Sequence, residues 1–274
     1  MTDIATEIDR VTDQADLEAI FRALGLPSGA SVIVHAGLEK LGYVVNGALD
    51  VIDAIFSVIG RQGTLLVPAH SNLTDPEQWQ KPPVAKHLIA KIRATMKPFD
   101  PRLTPIFRRG MIADTLLRHP AMRRSNHPSC SVVAVGAKAD WFTEQHDFDD
   151  AHGPGSPFHK LYVDSGYVLL LGVGLDVCTV VHTAEVMADC PYIYECPTRV
   201  LRTDKLGGNH FVRMRRYGGT ANHFEKVRPM LASRGCLTER LIDEYRFTLM
   251  NVRPALDLIV DVLKKDPLYL QNWV

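Results

Sequence analysis

Cysteine is scarce and scattered in this sequence. There are five in 274 residues, at Cys130, Cys178, Cys190, Cys196 and Cys236, with no Cys-x-x-Cys pair. An odd, dispersed set is no disulfide framework, and a reduced, cytoplasmic setting is expected. Net charge is also missing, since thirty-one basic residues balance thirty-one acidic ones. No global field draws the chain to nucleic acid or to an anionic membrane. No apolar run approaches the length of about eighteen residues that a spanning helix needs. The first residues carry Asp3, Glu7 and Asp9 where a leader would place basic and then apolar side chains. Neither export nor a membrane span is expected. Also absent are Gly-x-x-x-x-Gly-Lys-Ser/Thr and a strand-linked Gly-x-Gly-x-x-Gly, which leaves nucleoside triphosphate and dinucleotide cofactors without support. Gly-x-Ser-x-Gly is lacking too, and no cysteine has a plausible nearby partner, so a covalent nucleophile has none either.

What is present is enough apolar residue, 46% of the chain, to bury one large core. Apolar positions at Leu17, Ile20, Phe21 and Leu24 have helical spacing and end at Gly25. Ser31 to His35 is a β-branched run that reads as a strand, Gly47 to Ile59 as a helix, and Gly63 to Pro68 as the next strand. This order is that of a parallel α/β unit, whose ligands bind beyond the carboxyl ends of the strands. Residues 72–104 read as a long excursion, rich in Pro, Asp and Lys, with one short helix near Val84 to Ala94 and a substrate-facing position. Cys130 to Val135 and Tyr167 to Val173 are further strands. The turn signal Gly207-Gly208-Asn209 centres a hairpin over about 200–217. Phe224 to Leu231, Leu237 to Tyr245 and Ala255 to Leu263 read as helices. The fold class expected is α/β, a central mixed sheet flanked by helices, in a single domain.

The segment from Leu169 to Glu185 runs from strand through a glycine turn into a helix with Thr179 as its expected N-cap. His182 and Glu185, three residues apart, share a helical face. Glu185 would hold the proton on one imidazole nitrogen and leave the other as a base. The helix start and the Thr179 hydroxyl offer donors for an oxyanion. The plain alternative is a hydrogen-bonded core histidine with an acidic neighbour; its place immediately after a central strand favours chemistry. A metal site built from His182, Glu185 and other histidines, as in a metal-dependent hydrolase, stays open, although no His-Glu-x-x-His occurs. The Arg123 to Pro128 turn, with Arg124, Ser125 and His127, suits either a phosphate or solvent. His152, in a rigid Gly/Pro loop, suits a pocket wall or a plain connector. Leu268, Tyr269, Leu270 and Trp273 read as a subunit contact of a homodimer or as a docked tail.

Several of these segments together resemble the aminoglycoside 3-N-acetyltransferase family. They are Val34-His35-Ala36-Gly37-Leu38, Leu41-Gly42, Gly63 to Pro68, Pro98-Phe99-Asp100-Pro101, Thr104-Pro105, Arg124 to Pro128, Ser156-Pro157, and Leu170 to Val173 followed by Thr179 to Glu185. They occur in the family's order from about Val34 to about Leu270. The resemblance implies the family's own α/β fold and acyl transfer from acetyl-CoA to an amine by direct attack, without a metal. It implies His182 as base with Glu185 orienting it. His35, Ala36, Gly37 and Leu38 would offer backbone groups to the pantetheine arm, and Arg124, Ser125 and His127 would face the nucleotide end. The amine substrate would enter near Asp75 and His152.

Two departures bear on substrate. Ala36-Gly37 stands where the family usually has two hydroxyl residues, which keeps backbone donors but removes side-chain contacts. Arg213-Met214-Arg215-Arg216 occupies a stretch where the family often has acids. Like charge in a desolvated pocket repels a polycation. An acyltransferase of a biosynthetic amine carrying phosphate or carboxylate is therefore an alternative, as are solvent-facing arginines and a non-catalytic binder.

Overall fold

The structure, a computed structural model, describes residues 8, 10–80, 82–107, 110–195, 198–216 and 223–271. Cys196, Trp273 and the end of the expected hairpin at Tyr217 lie outside them.

The chain opens with β1 (Val11–Thr12) and α1 (Gln14–Ala23). A capping box starts α1: Asp13 accepts from the Asp16 N–H and Asp16 from the Asp13 N–H. The expected parallel unit follows as β2 (Ser31–Ala36), β3 (Tyr43–Val44), α2 (Ala48–Ile59) and β4 (Thr64–Pro68). Next come α3 (Lys86–Thr95), α4 (Gly110–Leu117), β5 (Arg123–Arg124), β6 (Val132–Gly136), α5 (Ala139–Thr143) and α6 (Pro157–Val163). The chain continues through β7 (Tyr167–Leu171), α7 (Val181–Met187), β8 (Arg199–Thr203), β9 (Asn209–Arg213) and α8 (Arg228–Ser233). It finishes with β10 (Leu237–Ile242), β11 (Tyr245–Asn251) and α9 (Val252–Lys265).

Seven strands form the mixed sheet expected, in the order β10-β11-β7-β2-β4-β6-β5. Within it the parallel neighbour pairs are β7–β2 and β2–β4, and the other neighbours pair antiparallel. Strand period sends alternate residues to opposite faces. Val32, Val34, Leu65, Val67, Leu169 and Leu171 pack on one side with residues of α1, α2 and α4. Ile33, Leu66, Val168 and Leu170 pack on the other with residues of α5, α6, α7 and α9. Covering both faces explains why the parallel strands read as continuous apolar runs. Leu270 is buried in the same layer as α9, so that part of the C-terminal stretch docks on its own core. No helix among the described residues is long and apolar enough to cross a membrane.

Leu237 to Tyr245 is not a helix. It forms β10 and the start of β11, paired antiparallel across a turn at Asp243, whose φ is 53°. Leu237, Leu241 and Ile242 mimic helical spacing, but β11 alternates: Phe247 and Leu249 face one layer and Met250 the other. Pairing of β11 with β7 recruits the whole hairpin into the sheet. Residues 72–104 and the β8–β9 hairpin form one unit: Leu201 donates to the Leu73 carbonyl and Asp75 to that of Arg199.

Candidate active site

The carboxyl ends of β2, β4 and β7 open into a cavity of about 610 Å³. Val34, Val67, Ile112, Val173 and Val177 supply apolar wall, and His35, Glu39 and Tyr43 supply its ionisable side chains. No lysine or arginine lines it among the described residues. Of the four residues expected to meet the pantetheine arm, His35, Ala36 and Leu38 line this cavity and Gly37 does not. The Gly37 N–H donates to the Leu171 carbonyl at 3.0 Å, and its own carbonyl accepts from Lys40 at 2.9 Å. These two bonds tie its backbone into the fold.

From β7 the chain turns at Gly172, where φ is 68° and a Cβ would fall 2.7 Å from that of Lys40. Only glycine fits there. The next turn is pinned by a distant carboxylate: Glu225 accepts the Leu175 N–H at 2.5 Å, while the Glu225 N–H donates to Asp176 at 2.9 Å. Arg228, hydrogen-bonded to Glu225, holds that carboxyl below its ordinary range. The thiol of Cys178 is buried, which pushes it up to about 12 and removes it as a nucleophile.

Helix α7 starts one residue later than expected. Its N-cap is Val180, not Thr179, and no side chain caps it. Thr179 is buried, and its carbonyl accepts the His182 N–H at 3.2 Å. The predicted pair does form: Nδ1 of His182 lies 2.7 Å from Oε2 of Glu185. Glu185 is fully buried, whereas the His182 side chain keeps 14% exposure. One imidazole nitrogen is therefore tied to a carboxylate, and the ring retains an open edge. Phe224 meets that ring edge-on at 5.0 Å, and the ring of His152 lies 5.1 Å away. Burial, together with His182 and His70 nearby, depresses His152 well below the ordinary imidazole range. His152 is thus brought to the pair.

Asp75 is not. It is fully buried, accepts from Arg93 at 2.8 Å and pairs with Arg199 at 2.8 Å. Two guanidinium groups saturate the carboxylate, so its work is to join the excursion to the hairpin. The Arg124 turn is corrected likewise. Arg124 is buried and donates to the Ala69 carbonyl at 2.7 Å, the Thr104 carbonyl at 2.6 Å and Ser131 at 3.0 Å. Ser125 bonds His146 at 2.9 Å, and His127 accepts from the Cys130 N–H at 2.9 Å. Burial lowers His127 to about 4. Arg124, Ser125 and His127 thus act as an internal brace, with the Arg124 guanidinium spent on acceptors inside the fold.

One arginine of the Arg213–Arg216 stretch is paired with a carboxylate. Arg216 pairs with Asp150 at 3.1 Å and donates to the Val186 carbonyl of α7 at 3.2 Å. Arg202, on the same hairpin, pairs with Asp149 at 3.2 Å. Arg213 and Arg215 are exposed, and residues 217–220 lie outside those described. Among the described residues, no group of three or more His, Cys, Asp or Glu side chains is arranged to hold a metal ion.

Sequence reasoning missed three residues at this site: Glu225, Phe224 and Tyr192. Tyr192 donates to Oε1 of Glu185 at 3.1 Å. None has a local motif, because they reach the site from two turns outside α7, Pro191–Tyr194 and Phe224–Val227.

The aminoglycoside 3-N-acetyltransferase profile matches residues 33–264. Aminoglycoside N(3)-acetyltransferase VIII of Streptomyces fradiae is 39% identical over 190 residues, 68% of this chain and 64% of that protein. Alignments with the first curated relatives span 58% to 64% of their own length. The crystal structure of YokD from Bacillus subtilis superposes with a TM-score of 0.81 at 27% identity, covering 95% of this chain and 96% of that one. AAC-IIIb in binary complex with CoASH superposes at 0.77 with 28% identity, covering 93% and 97%. With its sheet order, its cavity at the strand ends and its matched span, the chain belongs to the aminoglycoside 3-N-acetyltransferase family.

Proposed function

We propose that this chain transfers the acetyl group of acetyl-CoA to an amine of an aminoglycoside or related amino sugar, with His182 as general base. The observation that carries the reading is the 2.7 Å contact between His182 Nδ1 and the buried carboxylate of Glu185. That contact fixes the tautomer and turns Nε2 into the acceptor. Nε2 takes a proton from the amine as its nitrogen bonds to the thioester carbonyl carbon. When the carbon–sulfur bond breaks, His182 returns the proton to the sulfur, and the balance closes without a metal or an acyl-enzyme. The apolar cavity at the ends of β2, β4 and β7 suits the uncharged pantetheine arm, with His35, Ala36 and Leu38 in its wall. The relative bound to CoASH supports coenzyme A as donor.

The pairing of Arg202 and Arg216 with aspartates lowers the repulsion that would set a polycationic acceptor against this surface, while Arg213 and Arg215 stay exposed; the family match favours an amino sugar over an anionic amine. His152 lies on the acceptor side of the His182 ring in this reading. The test is free-thiol release from acetyl-CoA with kanamycin, gentamicin, apramycin and amino-sugar phosphates. Release with an aminoglycoside supports the reading. Release with the phosphates alone overturns the acceptor assignment, and absence of release with every amine overturns the transferase.

A further inference from the structure

Glu185 has two oxygens and a different partner on each. Oε2 meets His182, and Oε1 accepts the hydroxyl of Tyr192 at 3.1 Å. Both residues are buried, and Tyr192 comes from the separate turn Pro191–Tyr194 that follows α7. The turn is fastened where it matters, because the Cys190 N–H donates to the backbone carbonyl of Glu185 at 3.1 Å. The hydroxyl's one proton is committed to Glu185. The three side chains form one line: Tyr192, Glu185, His182. The neighbouring Tyr194 shows what an uninvolved phenol does here: it is half exposed and bonds the surface carboxylate of Asp189.

We propose that Tyr192 is the positioning residue that fixes the Glu185 carboxylate for its work on His182. A buried carboxylate held at one oxygen can rotate, and a lone pair left without a donor is costly at that depth. Held at both oxygens, it has one orientation, and the imidazole inherits it. Burial and the adjacent Glu185 raise the Tyr192 phenol far above the ordinary range, so it stays a donor at any working pH. Tyr192 is buried and does not line the cavity at the strand ends. The inference rests on the reading of His182 as base.

The experiment is Tyr192→Phe in the full chain, which removes the hydroxyl and keeps the ring. With acetyl-CoA and an aminoglycoside acceptor, kcat falls about tenfold or more, while KM for acetyl-CoA stays within about twofold, the cavity being elsewhere. In the substrate-free protein, the Nδ1 proton signal of His182, assigned by its loss in His182→Gln, shifts in the nitrogen-edited NMR spectrum. In a Glu185→Gln background, Tyr192→Phe adds no further loss, whereas a purely structural role would add its full effect. A wild-type kcat with an unmoved His182 signal overturns the proposal. His182→Gln separates the two levels: if it turns over at the wild-type rate, the base itself is wrong. If it is inactive while Tyr192→Phe is unimpaired, only the positioning role fails. Should Tyr192→Phe not fold, the His182 signal in Tyr192→Met decides, and an unmoved signal counts against the proposal.

Discussion

Glu225 accepts the backbone N–H of Leu175 at 2.5 Å across fifty residues of chain. The residue before it, Phe224, packs edge-on against His182. One short turn thus touches both the loop that walls the cavity, through Val173 and Val177, and the proposed base. Leaving the Leu175 donor unpaired costs about 1 to 3 kcal/mol and loosens the cavity wall. Glu225→Ala is expected to bind acetyl-CoA about tenfold more weakly by calorimetry, with a fall of a few degrees in Tm. Unchanged affinity would show that the wall holds without the clamp.

His182 makes the sharpest prediction for the reaction. Loss of a general base typically costs about 10² to 10⁴ in rate. His182→Ala should lose that much kcat while keeping its thermal shift with acetyl-CoA, since His182 does not line the cavity. Loss of the shift together with the activity would mean that the imidazole binds the donor and does not act only as base.

Arg124 separates a brace from a ligand contact. Its guanidinium reaches three acceptors inside the protein, on Ala69, Thr104 and Ser131. A lysine cannot reproduce that fork. Arg124→Lys should destabilise the fold by about 2 to 3 kcal/mol in a urea titration and leave KM for acetyl-CoA and its salt dependence unchanged. A raised KM with intact stability would restore the nucleotide-facing role implied by the family resemblance.

These residues show where the sequence was legible. β2, β4 and β7 are β-branched and leucine-rich because both faces are covered, and that pattern is visible without coordinates. So is a His-x-x-Glu pair one turn apart, because its geometry is local. Buried polar residues are a different matter. Asp75 and Arg124 look like ligand-facing groups in sequence, and only their partners at Arg199, Ala69 and Thr104 show that they are satisfied internally. Leu237 to Tyr245 was misread for the same reason: its spacing is local, but its pairing with the rest of β11 and the docking of β11 on β7 are not. Tyr192 gave no signal at all, since a tyrosine after a proline is ordinary until Glu185 is found beneath its hydroxyl.

The last prediction concerns acid. His127 is buried and lowered to about 4, and His146 and His152 are lowered well below the ordinary range, each chiefly by burial. In the unfolded chain such groups take up protons near pH 6.5. As pH falls below that value the unfolded state binds protons that the folded state refuses, so stability declines from about pH 6.5 down to about 4. His127 alone accounts for a loss on the order of 3 kcal/mol across that window, and the other two act in the same direction. Urea midpoints should therefore fall steadily as pH drops from about 7 to about 5.5, above the range where most carboxylates titrate. His127→Asn keeps a side-chain acceptor for the Cys130 N–H but cannot charge, and its midpoint should fall less steeply with acid. Equal slopes in the two proteins would place the acid sensitivity elsewhere than in this buried histidine.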